Sequence, residues 1–102
     1  MNLLTKTELI DVVADKTDLT KKDTGKIINT TIDSIIEYLS DEANKSEDER
    51  DNVQLIGFGT FEAKDRKERK GRNPQTGEEI TIPARTVPVF RAGKTFKETV
   101  QG

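Results

Sequence analysis

Histidine, cysteine and tryptophan are all absent from this chain of 102 residues. Without histidine and cysteine there is no imidazole base, no thiolate nucleophile, no disulfide and no Cys/His zinc site. Carboxylates remain, but a catalytic or metal site built from them alone needs a pocket that a chain of this size can hardly form. We therefore expect no enzyme, no cofactor and no metal.

Long apolar runs are also missing. None approaches the ~20 residues that a membrane-spanning helix requires, and residues 1–6 are too few for the apolar region of a secretory signal. These absences predict a cytoplasmic protein with no membrane partner. The length predicts a single domain, residues 1–102.

Hydrophobic residues are scarce, at 31% against 35% charged residues, and only 5% are aromatic. A domain of this size buries only part of its surface even with ordinary composition. A core shared with a second copy would supply the missing apolar area and would make folding and dimerisation one event. The composition therefore predicts an obligate dimer.

Charge is distributed unevenly along the chain. Residues 1–63 hold 7 basic and 14 acidic residues, whereas residues 64–102 hold 10 basic and 5 acidic residues. The overall net charge of −2 argues weakly against a nucleic-acid partner. The local field at a contact surface matters more than the net charge, so the basic half is a candidate binding surface.

The first 39 residues have the pattern of two amphipathic helices. Thr5 and Glu8 have capping-box spacing, and Thr20 caps a second helix. The second helix carries its apolar residues on one face, with the spacing of an ordinary core stripe: Ile28, Ile32, Ile35, Ile36 and Leu39. We predict a helical hairpin over residues 5–39.

Residues 53–90 have strand character. A short strand over residues 53–56 is followed by a tight turn in which Gly57 and Gly59 flank Phe58. The pattern predicts an α+β fold with a three-stranded antiparallel sheet, a long protruding β-ribbon arm over about residues 64–83, and a short C-terminal helix over residues 93–100. We interpret the aromatic residues as core rather than as base-stacking groups. The predicted dimer core comprises Ile32, Ile36, Leu39, Leu55, Phe58, Phe61 and Phe90.

The outer part of this ribbon is strongly basic. Residues 64–72 contain six basic and two acidic residues, and residues 73–77, Asn-Pro-Gln-Thr-Gly, have turn chemistry. A projecting basic ribbon suits a nucleic-acid groove, and Pro74 at its tip can act as a wedge between base steps. The alternatives are a solvated charged face for the basic run and plain turn chemistry for Pro74.

Three blocks of sequence resemble the bacterial histone-like HU/integration-host-factor family. They are VQLIGFGTF at residues 53–61, GRNPQTGEEITIPA at residues 71–84, and VPVF at residues 87–90 with Ala-Gly-Lys shortly after it. The blocks occur in the family's order, and the resemblance extends from Thr5 to Val100. The net acidic balance departs from the family's usual basic one.

The resemblance implies an architectural protein that binds the minor groove of double-stranded DNA, bends and compacts it with little sequence specificity, and is associated with the nucleoid. Bent, nicked or flexible sites would be favoured, and the protein would be an intertwined dimer, either a homodimer or a heterodimer with a family member. The DNA-binding residues so implied are Arg66, Lys67, Arg69, Lys70, Arg72, Asn73, Pro74, Gln75, Thr76, Gly77, Arg85, Lys94, Lys97 and Lys6, with Pro74 as the intercalating wedge. The alternative function is an acidic interaction protein, or a heterodimerising modulator, built on the same fold.

Residues 40–52, the acidic segment, are longer by about eight residues than the family's usual turn. They contain six acidic and two basic residues. A helix extension and a mobile loop both fit this composition. We interpret the segment as a solvated insertion; a partner-recruiting surface and electrostatic tuning of DNA wrapping are the alternatives.

Overall fold

The computed structural model describes residues 3–102. The chain divides into two compact units, with the boundary between Ile36 and Glu37. The α+β class and the antiparallel sheet predicted from the sequence are confirmed. The elements are α1 (Lys6–Thr17), α2 (Lys21–Glu42), a 3₁₀ helix (Glu47–Glu49), β1 (Val53–Leu55), β2 (Gly59–Arg66), β3 (Arg69–Arg72), β4 (Glu79–Ile82), β5 (Arg85–Ala92) and α3 (Lys94–Gln101).

Both predicted helix caps are present in the first unit. The Thr5 side-chain oxygen accepts a hydrogen bond from the Glu8 N–H at 3.3 Å, and Thr20 Oγ1 accepts one from the Asp23 N–H at 3.1 Å. These bonds satisfy N–H groups that have no partner within the helix. Asp18 ends α1 in the left-handed conformation, with φ 58°.

The two helices form the predicted hairpin. The Ile10 side chain lies over Gly25, and Lys21 Nζ is 3.5 Å from Asp11 Oδ1. Helix α2 continues three residues beyond the predicted end at Leu39, so part of the acidic segment is helical. No helix within residues 3–102 combines the length and the apolar character that crossing a membrane requires.

A three-stranded antiparallel sheet with the order β1-β2-β5 forms the centre of the second unit. The β1–β2 turn uses Gly57, whose φ of 87° is unfavourable for other residues. Gly59 is required for another reason: a Cβ there would lie 2.5 Å from the Arg91 carbonyl oxygen and 2.6 Å from the Phe90 ring. The predicted strand over residues 53–56 is one residue too long, because Ile56 belongs to the turn.

The predicted continuous ribbon over residues 64–83 consists of two segments. Its base belongs to β2 and β5, while β3 and β4 form a separate two-stranded sheet, the distal ribbon. Residues 67–68 and 83–84 interrupt the ladders between them. Pro83 has no N–H to donate, which accounts for the break on that strand.

Four phenylalanine rings gather beside the three-stranded sheet. Phe58 lies 5.0 Å from Phe90, and Phe90 lies 4.8 Å from Phe61, between ring centroids. The sequence predicted these three but not the fourth, Phe96 of α3, which stacks on Phe58 at 5.3 Å. The cluster joins α3 to the strands.

Candidate nucleic-acid interface

The distal ribbon has two chemically different faces. Cross-strand pairs share a face, so Arg69 lies beside Ile82, and Gly71 beside Ile80. Ile82 lies across Gly71, where a Cβ would be only 3.0 Å from it. Lys70 and Arg72 occupy the opposite face. The first face therefore combines two isoleucines with one cation, Arg69, and the second face carries two cations.

The cations of the second face are held loosely. Lys70 Nζ donates to Thr81 Oγ1 at 3.1 Å and lies 3.9 Å from Glu79 Oε1. An Arg72 guanidinium N–H donates to the Gly77 carbonyl at 3.0 Å. Both side chains are exposed, and exposed ion pairs of this kind contribute about 0–1 kcal/mol. A phosphate can therefore replace these partners at little cost.

The tip of the ribbon is a hydrogen-bonded turn. The Asn73 N–H donates to the Glu78 carbonyl at 2.9 Å, and the Gly77 N–H donates to the Asn73 carbonyl at 2.8 Å. Asn73 Oδ1 also accepts from the Gln75 N–H at 2.8 Å, an Asx turn. Gly77 has φ 74°. Pro74 is exposed on this turn.

These bonds limit what the tip residues can offer to a ligand. The side-chain oxygen of Asn73 is occupied by the turn, so its amide NH₂ remains for a base edge. Thr76 Oγ1 accepts from the Glu78 N–H at 3.3 Å. Gln75 has an exposed side chain and can donate and accept.

Four predicted cations come together where the distal ribbon meets the three-stranded sheet. Arg66 and Arg85 are cross-strand partners, and with Lys67 and Arg69 they line a shallow concavity. None of the four takes part in the ion pairs found within residues 3–102. Like charges directly opposite each other on a sheet are destabilising, so a bound phosphate would relieve this arrangement.

The remaining predicted cations lie elsewhere. Lys94 and Lys97 are exposed on α3, and Lys94 Nζ is 3.9 Å from Glu98 Oε1. Lys6 is exposed at the first turn of α1, in the other unit. The ribbon and its base thus bring together most of the predicted residues, and Lys94 and Lys97 lie on α3, outside that cluster.

Two basic residues near the base of the ribbon were not among the predicted DNA-binding residues, although Lys64 belongs to the basic run over residues 64–72. Lys64 Nζ lies 3.5 Å from Glu62 Oε1, and an Arg91 guanidinium nitrogen lies 3.5 Å from Glu62 Oε2. Glu62 is itself buried. Alternation along β2 could have placed Glu62 and Lys64 on one face, because they are two residues apart. The position of Arg91 depends on the register between β2 and β5.

No role was predicted for Arg50 from the sequence, in which it counted only as one of the two basic residues of the acidic segment. In the structure Arg50 is a buried cation next to the base of the ribbon. Its side chain is 5% exposed. The guanidinium donates to the Lys45 carbonyl at 3.0 Å, to the Ala43 carbonyl at 3.1 Å and to the Ala63 carbonyl at 3.1 Å. It also donates to Asp65 Oδ1 at 2.9 Å. The acidic segment is therefore attached to β2, unlike a mobile loop.

Two carboxyl groups in and beside the acidic segment have lowered pKa values. The Arg50 guanidinium, followed by the Thr86 hydroxyl, holds the pKa of Asp65 below its ordinary value of 3.8. The Asp51 N–H, which donates to Glu42 Oε1 at 2.7 Å, followed by Lys45, lowers the pKa of Glu42 from 4.5. Ionised carboxylates thus stabilise this part of the fold.

These pKa shifts predict an acid-sensitive contribution to stability. A carboxyl group whose folded pKa is lowered stabilises the fold above its unfolded pKa, and this stabilisation disappears as the pH falls through the folded pKa. Asp65→Asn should therefore be less stable than the parent at pH 7, and the difference should begin to shrink as the pH falls below about 4, the ordinary pKa of the carboxyl group. Urea unfolding across pH 3–7 measures this. A constant difference at every pH would show that the charge of Asp65 contributes nothing.

Residues 4–101 match the family model described as bacterial DNA-binding protein. The chain belongs to this family of bacterial DNA-binding proteins. Among its relatives is DNA-binding protein HU-1 of Halalkalibacterium halodurans, which is 51% identical over 98 residues, 96% of this chain and 100% of the relative. DNA-binding protein HU 1 of Bacillus subtilis is 48% identical over 99 residues, 97% of this chain and 99% of the relative.

Solved structures agree with these relatives. A cocrystal structure of Anabaena HU with DNA superposes with a TM-score of 0.82 at 45% identity, covering 94% of this chain and 96% of that one. HU from Thermotoga maritima gives a TM-score of 0.62 at 32% identity, covering 94% and 97%. The predicted resemblance to HU is confirmed, and the family is one of DNA-binding proteins.

Proposed function

We propose that this protein is an architectural DNA-binding protein that enters the minor groove of duplex DNA with its distal ribbon and bends the duplex. The observation that carries the proposal is an exposed proline at the tip of a basic, hydrogen-bonded ribbon. HU and integration host factor bind in this mode, inserting an apolar wedge between base steps. The residues of this chain can perform each part of that process.

Two processes contribute to the free energy of binding: neutralisation of phosphates and deformation of the DNA. Cations on both ribbon faces and at its base neutralise phosphates, which supplies an affinity that is independent of sequence. Pro74 partly unstacks a base step at a cost of a few kcal/mol, and the bent duplex then reaches more of the protein surface. Because the minor groove carries a degenerate pattern, site preference follows deformability and favours bent, nicked or flexible DNA.

The proposed binding unit is a dimer. Only Ala14, Leu39 and Ala63 are buried hydrophobic residues within residues 3–102 of a single chain. Most of the predicted core is instead open to solvent: Ile36 is 61% exposed, Phe58 43% and Phe90 39%. A second copy would cover these groups, and a heterodimer with another family member would cover them equally.

Two further features complete the proposal. The protein acts in the cytoplasm on the nucleoid, and the acidic segment is an insertion relative to the family. The interaction or modulator alternative is not favoured, because such a protein would have no need for Arg66, Arg69 and Arg72 flanking an exposed Pro74.

Pro74→Ala should reduce DNA bending more than it reduces affinity for a nicked duplex. The tip packs on little in the free protein, so unfolding of the variant should be nearly unchanged, and a nick largely removes the unstacking cost. Resonance energy transfer between end labels on intact and nicked duplexes reports bending and affinity together.

Pro74→Leu is the matched control for this experiment. It removes the proline ring constraint as Ala does but restores an apolar side chain of wedge size, so bending should largely return. An alanine variant that bends intact DNA as sharply as the parent would reduce Pro74 to a turn residue and would contradict the proposed wedge.

A further inference from the structure

The free edge of β2 is completed by the acidic segment. Strand β1 pairs with β2 only as far as Phe61. Beyond that point the Ala63 carbonyl accepts from Arg50 at 3.1 Å, and the Asp65 N–H donates to Glu47 Oε2 at 3.3 Å. Alternate residues of a strand present their backbone groups to the same edge, so side chains of the acidic segment replace the missing neighbouring strand.

The same side chains reach across to β5. Asp65 and Thr86 are register partners, and Thr86 Oγ1 donates to Asp65 Oδ1 at 3.0 Å, the oxygen that also accepts from Arg50. The next register pair, Arg66 with Arg85, is the last of this ladder. Arg50, Asp65 and Thr86 therefore form a clasp across both strands, one residue before the ladder ends.

The position of the clasp matters for the distal ribbon. Beyond Arg66 and Arg85 the ladder is interrupted at residues 67–68 and 83–84, so the base of the ribbon is the last fixed point before this break. Glu47 adds a second attachment there, with its Oε1 3.8 Å from Lys64 Nζ. A loosened base would leave the whole ribbon less ordered before it meets DNA.

We propose that Arg50 is a positioning residue for the DNA-binding ribbon. The clasp holds the base of the ribbon in place, so that less conformational freedom is lost when the ribbon enters the groove. The inference rests on the proposed function for its effect on DNA, but the order of the free ribbon can be measured without DNA. It gives the acidic segment a function in arranging the ribbon rather than in recruiting a partner.

The test uses the chain of 102 residues and three variants of it. Arg50→Gln removes both the charge and the clasp, and Arg50→Lys keeps the charge but lacks the planar fork that contacts four oxygens. Lys45→Gln is the matched control, since it removes one positive charge from the same segment. Lys45 Nζ pairs with Glu42 at 2.8 Å, and its backbone carbonyl still binds Arg50.

The first measurement is amide hydrogen exchange of residues 65–69 in the DNA-free protein. We expect exchange about tenfold faster in both Arg50 variants and unchanged exchange in Lys45→Gln, which corresponds to a local opening that is ~1.4 kcal/mol easier. A merely structural role would instead accelerate exchange throughout the sheet. Uniform acceleration, or parent-like exchange in Arg50→Lys, would overturn the proposal.

The second measurement is binding to an intact labelled duplex. The Arg50 variants should bind about three- to tenfold more weakly than the parent with a broader distribution of end-to-end distances, and Lys45→Gln should bind as the parent does. Faster local exchange with unchanged binding and bending would overturn the positioning role. If the parent itself fails to bind DNA, the proposed function fails, while the exchange result still decides whether the clasp orders the ribbon.

Thr86→Val covers the case in which the Arg50 variants do not fold. This change removes one hydroxyl from the outer end of the clasp and leaves the Arg50 contacts to Ala43, Lys45 and Ala63 in place. Faster exchange confined to residues 65–69 would support the clasp. Exchange equal to the parent's would contradict it.

Discussion

Replacing Phe61 by alanine should lower the free energy of unfolding of the dimer by about 3–5 kcal/mol. Phe61 is half-buried in a single chain and lies 4.8 Å from Phe90 and 6.3 Å from Phe58. In the proposed dimer the second copy covers the open side of this cluster, so the substitution removes contacts within and between chains. Chemical unfolding monitored by circular dichroism measures the loss.

The dependence of unfolding on protein concentration distinguishes an obligate dimer from a stable monomer. If folding and association are one event, the unfolding midpoint of the parent should rise with protein concentration. Phe61→Leu is the matched control, because it keeps most of the apolar volume and should lose less than half as much stability as Phe61→Ala. A parent midpoint that stays constant over two decades of concentration would contradict the obligate dimer.

Replacing Arg66, Arg69 and Arg72 together by glutamine should weaken DNA binding by orders of magnitude at low salt. Each neutralised phosphate contributes about 0.9 to the slope of log affinity against log salt concentration. One arm should therefore lose about 2.7 from the slope, and two arms about twice as much. Each single replacement by alanine should weaken binding to all sequences alike and lower the slope by about one for each arm that carries it.

The control for this experiment removes three positive charges from residues outside the predicted interface. Lys16, Lys26 and Lys45 are exposed and lie outside the predicted interface, so replacing all three by glutamine should leave the slope close to that of the parent. Titrations with two unrelated duplexes over a salt series give both quantities. A loss confined to one duplex would indicate direct base readout by the arginines instead.

Features determined by neighbouring residues were predictable from the sequence. Thr5 and Thr20 cap helices that begin where predicted, because a cap bonds only to residues two or three positions away. The tip turn at residues 73–77 was predictable for the same reason, since Asn, Pro and Gly restrict their own backbone. The break at residues 83–84 had a local signal as well, in the missing N–H of Pro83.

Features that depend on distant contacts were not predictable in this way. Phe96 joins the aromatic cluster only because α3 returns to the sheet. Its i, i+4 spacing with Val100 predicts that it faces inward, but not that its ring stacks on Phe58. Glu62 holds Lys64 and Arg91 through an alignment of β2 with β5 that the chain order alone does not specify.

Arg50 shows most clearly the difference between what neighbouring residues determine and what distant contacts determine. Composition alone determined that residues 40–52 are acidic and polar, and it left a helix extension and a mobile loop equally open. The tertiary structure decided that Arg50 is buried against Ala63 and Asp65, 13 and 15 residues further along the chain. A guanidinium in an acidic stretch has many potential carboxylate partners. The fold instead gives Arg50 three backbone carbonyls and only one carboxylate, that of Asp65.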